Sequence, residues 1–388
     1  MTDGPVITIP SADAAPQLVP ALGADTAVAS QWRLVAWRFR RHRLAVVSLY
    51  LVVMLYLIGI FAEFLAPYST DTTRPQYTYA PPQGIGFIIH KANGDRSFGL
   101  HASGYDITVD EVAMRRSFTP NREKVMPLGF FVRGDDYRFW GLFDSNIHLF
   151  GPTNPGEVVY ILGSDRLGRD VLSRLIYATR ISMSIGLVGV AISLFLGIFL
   201  GSISGYYGGM TDTLIQRVIE VVSAMPTIPL WMGLAAAIPL SWPPTQVYFT
   251  VIAIVSLLGW TALAREVRGR FFSLRGEDFV TAARLDGAGE MRIIFRHMLP
   301  SITSHILAMV TLAIPAMIIA ETSLSFLGIG LKPPVVSWGV LLQDAQNLRA
   351  ISSAPWLLLW PSLAVMVAVL AFNFLGDGLR DAADPYDN

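Results

Sequence analysis

The chain has 388 residues, 53% of them hydrophobic and only 15% charged, which lies outside the range of a soluble globular domain and points to a polytopic membrane protein. Basic and acidic residues number 29 each, so no global field draws the chain to nucleic acid, and the information lies in where the charges fall. The absence of cysteine excludes disulfides, thiolate metal sites and thiol catalysis together, and the six histidines show no ligand spacing such as HExxH.

Residues 1 to about 31 are rich in Ala, Pro, Ser and Asp without apolar periodicity, and read as a disordered tail. Arg33, Arg38, Arg40, Arg41 and Arg43 follow with no acid between them, directly before an apolar run from Leu44 to Leu65. That run, about 22 residues, is long enough to cross the hydrocarbon and too long for a signal-peptide core. We read 1–43 as a cytoplasmic tail with a basic flank and 44–66 as the first span, because positive charge beside a first span holds that side in the cytoplasm. Trp32 and Trp37 suit the headgroup layer.

Residues 67–163 change character: they are rich in Gly, Pro and aromatics and contain no spanning run. By the orientation just derived they form a periplasmic insertion, small, mainly β, with a modest core. Asn93-Gly94 between apolar residues predicts one tight hairpin, and Gly134-Asp135, between Phe130-Phe131-Val132 and Tyr137-Arg138-Phe139-Trp140, predicts a second. Trp140, Phe143 and Phe150 are expected in the core of this unit; the alternative is a docking surface or a cover over a pathway.

The stretch LGSDRLGRDVLSRLIYATRIS, Leu162 to Ser182, opens the remaining core, 164–380. Asp165, Arg169, Asp170 and Arg174 are spaced to pair over one or two helical turns at the membrane surface, where glycine permits a sharp turn. A second span, about Ser184 to Ser204, carries the small-residue pair Gly197 and Gly201, and a turn follows at Gly205 to Gly209. The third span, about Leu214 to Leu240, holds Arg217 and Glu220 one turn apart, expected to face the bundle and pair, as a structural ion pair or at a gate. Pro226 and Pro229 should kink it, and broken helices line pathways in transporters.

The fourth span, about Val247 to Leu263, delivers a polar loop, about 264–303, with Arg265, Arg268, Arg270, Arg275, Arg284, Arg292 and Arg296. Its first half reads as a short helix opened by Glu277 and Asp278, propagated by Ala282 and Ala283 and stopped at Gly287. A second helix from about Glu290 leads to Leu299-Pro300, where proline should leave its predecessor extended. The small residues Ala283 and Gly287 would let a partner approach the backbone. The fifth span, about Ile306 to Leu327, carries Glu321, either a helix-end carboxylate bonded to backbone or a contact for a passing amine. The sixth runs from about Trp356 to Leu375, and 381–388 returns to the cytoplasm.

Four stretches carry one resemblance. Thr281-Ala282-Ala283, Gly287 and Leu299-Pro300 resemble the coupling loop of bacterial ABC-importer permeases, with Thr281 in place of its glutamate and His297 in place of an isoleucine. Ser164-Asp165, Gly168-Arg169-Asp170 and Ser173-Arg174, with Arg180, resemble the head of the core in the dipeptide and oligopeptide permeases. So do Glu321, Leu324-Ser325-Phe326-Leu327-Gly328, Gly330, Pro333-Pro334 and Trp338-Gly339, and the terminus Gly376-Asp377-Gly378-Leu379-Arg380-Asp381 with Asp384-Pro385.

This resemblance implies an all-α integral membrane protein with six transmembrane helices of the type I ABC importer fold. It implies a bacterial inner-membrane permease for di- or oligopeptides, with nickel chelates or another small peptide-like solute as the alternative cargo. The implied partners are a second homologous permease, two ATPase subunits that bind the ATP and Mg, and a periplasmic binding protein. Thr281, Ala282, Ala283, Gly287, Leu299 and Pro300 would couple to the ATPase; Arg217, Glu220, Pro226 and Glu321 are candidates for the gate or pathway. No GxxxxGK[ST] loop occurs in the chain, so it holds no P-loop ATPase site and no cofactor of its own is expected. A secondary transporter or channel would need no ATPase, and a membrane enzyme would need clustered acid, base or ligand residues, for which the spans offer only Arg217, Glu220 and Glu321.

Overall fold

The basic flank is a helix. The structure, a computed structural model, describes residues 31–90, 96–110, 115–154, 156–239, 241–347 and 352–383, and its first helix, α1, is Gln31–Arg41. Val35 and Phe39, one turn apart, pack toward the core while Arg33, Arg40 and Arg41 stay exposed, so amphipathic spacing orders a segment that its charge alone reads as tail. His42 then caps the first span, α2 (Arg43–Ile60), through an acceptor nitrogen 3.2 Å from the Ala45 amide.

Two long helices form the centre. α4 (Val171–Tyr207) starts at the motif stretch and runs unbroken through the second span, and α7 (Pro244–Leu274) lies beside it. They are parallel: Gly189 meets Ser256, Gly197 meets Leu263 and Ala264, and Gly205 meets Arg268 and Phe271. At Gly201 an added Cβ would stand 2.5 Å from the Ala264 carbonyl oxygen, so the small-residue stripe is what lets the two backbones touch. Gly205 thus belongs to this seam rather than to a turn, and the reversal falls at Gly208 and Gly209, both with positive φ.

Because α4 and α7 run the same way, the chain between them must cross the full thickness. It does so through α5 (Gly209–Ala224) and α6 (Thr227–Ala236), which meet at a bend of 83°. The break sits at Met225 and Pro226, where both residues are extended: the proline ring disfavours a helical conformation at Met225, and its missing donor removes a helix hydrogen bond. α2, α4, α7, α11 (Thr303–Phe326) and a last long helix are each long and apolar enough to cross a membrane, and the broken pair brings the number to six when its two halves count as one span. α11 runs antiparallel to α4, Gly186 meeting Ile314 and Ile318.

Between the first and second crossings lie α3 (Ala62–Leu65) and four antiparallel strands in sequential order: β1 (Ile85–His90), β2 (Arg96–Asp110), β3 (Arg115–Phe139) and β4 (Phe143–Pro152). The Asn93-Gly94 turn lies outside the described residues. Gly134-Asp135 is not a turn. β3 continues through it with a register shift between Arg133 and Tyr137, and the reversal comes at Phe139 to Phe143. The bulge has local causes: an added Cβ on Gly134 would strike the His148 ring, and Asp135 Oδ2 is held by the Ser69 amide (3.0 Å) and the Thr72 hydroxyl (2.8 Å). Trp140 and Phe143 are exposed instead of forming a core, and Phe150 is half-buried.

After α11 a short helix, α12 (Trp338–Asp344), precedes α13 (Trp356–Ala383). The terminal motif from Gly376 to Asp381 is helical and extends the last span. Gly378 lies against Ala45 and Phe39, which ties the end of α13 to the start of α2. Asp384 and Pro385 lie outside the described residues.

Candidate functional site

The polar loop folds back on itself beneath α4, α7 and α11. α8 (Asp278–Leu285) buries Val280 and Ala283, one turn apart, against Phe271, Ile293, Ile294, Met298 and Tyr206. Burying a side chain such as Val280 contributes roughly 1.5–3 kcal/mol, enough to seat a helix of two turns that could not persist alone. Ala283 therefore faces its own chain, because the i, i+3 spacing aims it with Val280. Thr281, Ala282 and Gly287 lie on the open side.

Gly287 ends α8 with φ of +77°, and the Ala288 amide donates to the Ala283 carbonyl at 3.0 Å, closing a Schellman turn that other residues enter only with strain. No heavy atom lies within 4 Å of the position a Cβ would take, so conformation, not crowding, calls for glycine here.

The return leg comprises α9 (Glu290–Arg292), a π-helical stretch Ile293–Met298 and α10 (Leu299–Ser301). Leu299 is helical, not extended as the following proline suggested. Its amide bonds five residues back to Ile294, and this wider turn makes room for a proline ring next in line. The break before α11 falls at Ile302 instead.

Around the loop, the Tyr207 hydroxyl donates to Glu290 at 2.6 Å, Arg284 lies over the Tyr206 ring, and Arg268 grips Asp212 with two nitrogens. Sequence reading did not foresee Asp212 as a partner. What the loop leaves outside is apolar: Phe279, Met291 and Phe295 are exposed, and Leu285 most of all, at 84%. Exposed apolar residues interleaved with arginines are the makings of a docking face.

The other end of the bundle is held by buried charge. Gly168, with φ of +71°, turns the motif so that Asp165 Oδ2 receives Arg169 Nε and Arg174 Nη1, each at 2.7 Å. Arg174 Nη1 also reaches Asp344 Oδ2 at 3.1 Å, so α4 is tied to the end of α12. Asp170 pairs with no arginine of this set; it caps α4, accepting the Ser173 amide at 2.7 Å and hydroxyl at 2.6 Å. Burial pushes its carboxyl up to about 6 despite those bonds.

Glu321 is completely buried, with no basic residue among its bonding partners. Its oxygens accept the Ser325 (2.8 Å), Ser337 (2.7 Å) and Ser182 (3.4 Å) hydroxyls. Each serine oxygen in turn accepts a backbone amide, from Leu331, Val340 and Trp338 respectively. Every hydroxyl proton is therefore aimed at the carboxylate, which stitches α11 to α4 and to the cap of α12. Ser337 could have been read as an N-cap before Trp338; Asp344 and Ser182 carry no local signal.

Arg217 and Glu220 do pair, at 2.7 Å, but on the exposed side of α5 rather than toward the bundle. The opposite side of that helix is used by Ile219, packed on Trp260 and Ala264. Pro226 is exposed at the break. The structure thus assembles Asp165, Arg169 and Arg174 at one end and the loop residues at the other, and leaves Arg217, Glu220 and Pro226 apart from both.

Comparison with known proteins agrees with this layout. A family model described as a binding-protein-dependent transport system inner membrane component matches residues 197–386, and one for the N-terminal TM domain of oligopeptide transport permease C matches 30–82. The oligopeptide transport system permease protein OppC of Haemophilus influenzae is 37% identical over 244 residues, 63% of this chain and 75% of that one. The dipeptide transport system permease protein DppC of Alkalihalophilus pseudofirmus is 40% identical over 242 residues, 61% and 77% of the two chains. A peptide permease protein of Brucella ovis, so named putatively, is 34% identical over 301 residues, 74% of this chain and 97% of that one. The chain is a member of the dipeptide and oligopeptide branch of the ABC-transporter permease family.

Proposed function

We propose that this chain forms half of the pathway of an ATP-driven importer of di- or oligopeptides, moved by a separate ATPase that docks on α8. The observation that carries the coupling is the loop: an amphipathic helix locked on a buried floor by Val280 and Ala283, with Leu285 and Phe279 turned outward. A helix seated so firmly transmits a push to α7 and α11 instead of bending. Thr281, Ala282 and Gly287 lie on the receiving side, while Ala283, Leu299 and the turn before Pro300 hold the lever to the bundle.

The arginines before α2 and those of the loop stand at the same end of the bundle, which supports placing that end, with both termini, in the cytoplasm. The strands and the Asp165 end then face the periplasm, toward a binding protein. The open face of α5, with Arg217, Glu220 and the Pro226 break, turns to a second permease and the pathway between them. ATP and Mg act in the ATPase subunits.

The test is reconstitution of the assembled importer in proteoliposomes with its binding protein. Peptide accumulation that requires ATP and the ATPase subunits is expected. Accumulation that persists when the ATPase subunits are left out overturns the reading.

A further inference from the structure

The β3–β4 hairpin reverses through Phe139-Trp140-Gly141-Leu142-Phe143, a turn with none of the Asn, Asp, Pro or Ser that water-facing turns favour. Its side chains are not a core. Leu142 is 72% exposed, Phe143 67% and Trp140 52%, and Phe130 and Phe131 are exposed beside them. The next rung up the hairpin is charged, an Arg138–Asp144 pair at 2.8 Å. An apolar tip below a charged rung is the pattern of a segment that enters a bilayer interface.

The tip is also fixed beside the membrane. Trp140 Nε1 donates to the Ile60 carbonyl, the last residue of α2, at 3.0 Å. Phe139 stacks on Phe61 at 6.0 Å, and Phe131 meets Phe64 at 6.1 Å. Arg180, bonded to the Gly59 carbonyl and paired with Glu63, lies over the Trp140 ring at 4.4 Å. Leu57, Ile60 and Phe61 of the same helix end are exposed, so the hairpin tip continues the lipid-facing surface of a transmembrane helix.

Backbone strain is concentrated at the same place. Among the described residues the left-handed non-glycine positions are Tyr79, Phe131 and Trp140, and the last two are the hairpin's anchors on α2 and α3. A bulky residue adopts that conformation only where its surroundings over-determine it.

We infer that the β3–β4 hairpin is a lipid-interface anchor, with Trp140, Leu142 and Phe143 inserted at the headgroup boundary beside the Ile60 end of the first span. Trp and Tyr favour that layer because it wets one edge of the ring and keeps the other apolar. The anchor adds to the bonds that Asp135 and His148 make with Ser69, Thr72 and Ala66, and it holds whatever the cargo.

The chain lacks cysteine, so single spin labels can be placed without background. Leu142→Cys and Phe143→Cys would be labelled in the full chain in bilayers, alone and in the assembled importer. Val53→Cys on the exposed face of α2 calibrates lipid, and Glu123→Cys on an exposed strand position calibrates water. Labels at 142 and 143 are expected to collide more with oxygen than with a water-soluble nickel chelate, as at 53 and opposite to 123. A water-like reading at 142 and 143 that changes only when binding protein is added overturns the anchor in favour of a protein dock. Exclusion of both probes in the assembled importer overturns it in favour of a subunit contact.

Discussion

The two ends of the bundle are built from opposite chemistry. At the clamp end, Asp165, Arg169 and Arg174 are buried and paired, with Asp344 half-buried beside them, and Glu321 is enclosed by three serines. At the loop end, α8 is held by apolar contacts and presents exposed leucine and phenylalanine. Buried charge is unforgiving of displacement, since a separated ion leaves its partner unpaired in a dry site. An apolar seat strands no ion when the helix and its floor move together. One end is thus fixed in geometry, and the other can receive a movement.

The comparison breaks most readily at Arg174. Replacing it with alanine strips Asp165 of one of its two arginines and leaves Arg169 as the remaining shared cation of Asp165 and Asp344, which should lower stability by about 3–5 kcal/mol, seen as early thermal unfolding in detergent. Glu321→Ala comes next. It removes the acceptor of three buried hydroxyls, one of them at 3.4 Å, at about 1 kcal/mol each, and Glu321→Gln should recover part of the loss by keeping an acceptor in place. Equal melting of the two variants would reject the serine-cage account.

Gly287→Ala sharpens the other side of the contrast. The left-handed turn then carries about 1–2 kcal/mol of strain, with no clash, so the chain should fold and insert yet lose most ATP-driven uptake. Gly287→Asn, which tolerates that conformation better, should retain more. The smallest effect is titration of Asp170. Its folded carboxyl sits near 6, above the 3.8 of an ordinary aspartate, so its stabilising contribution is complete below about pH 4 and fades as pH rises through about 6. Asp170→Asn keeps a cap and should flatten the melting temperature across that window.

Much of this was legible in order. Apolar run length located the long apolar helices, Pro226 located the break, and Gly287 located the end of α8, because each is a local property of the backbone. What failed was non-local. Asp344 lies 170 residues from Arg174, and nothing near it announces a partner. Ala283 was read as facing out because the pattern does not say which side of a two-turn helix finds a floor. Gly134-Asp135 has turn composition but is occupied by Ser69, Thr72 and His148 from elsewhere, so the reversal passes to an aromatic turn. α1 was hidden by its arginines, although Val35 and Phe39 carry a helical period.

The most direct measurement of the central claim places the chain's only cysteine at Leu285, the most exposed large apolar residue of α8, and follows crosslinking in membranes that hold the assembled importer. The account predicts a crosslink to the ATPase subunit whose yield changes between nucleotide-free and ATP-bound states, with no labelling by an impermeant reagent added to the periplasmic side. Labelling from that side, or no crosslink to any subunit, would contradict it.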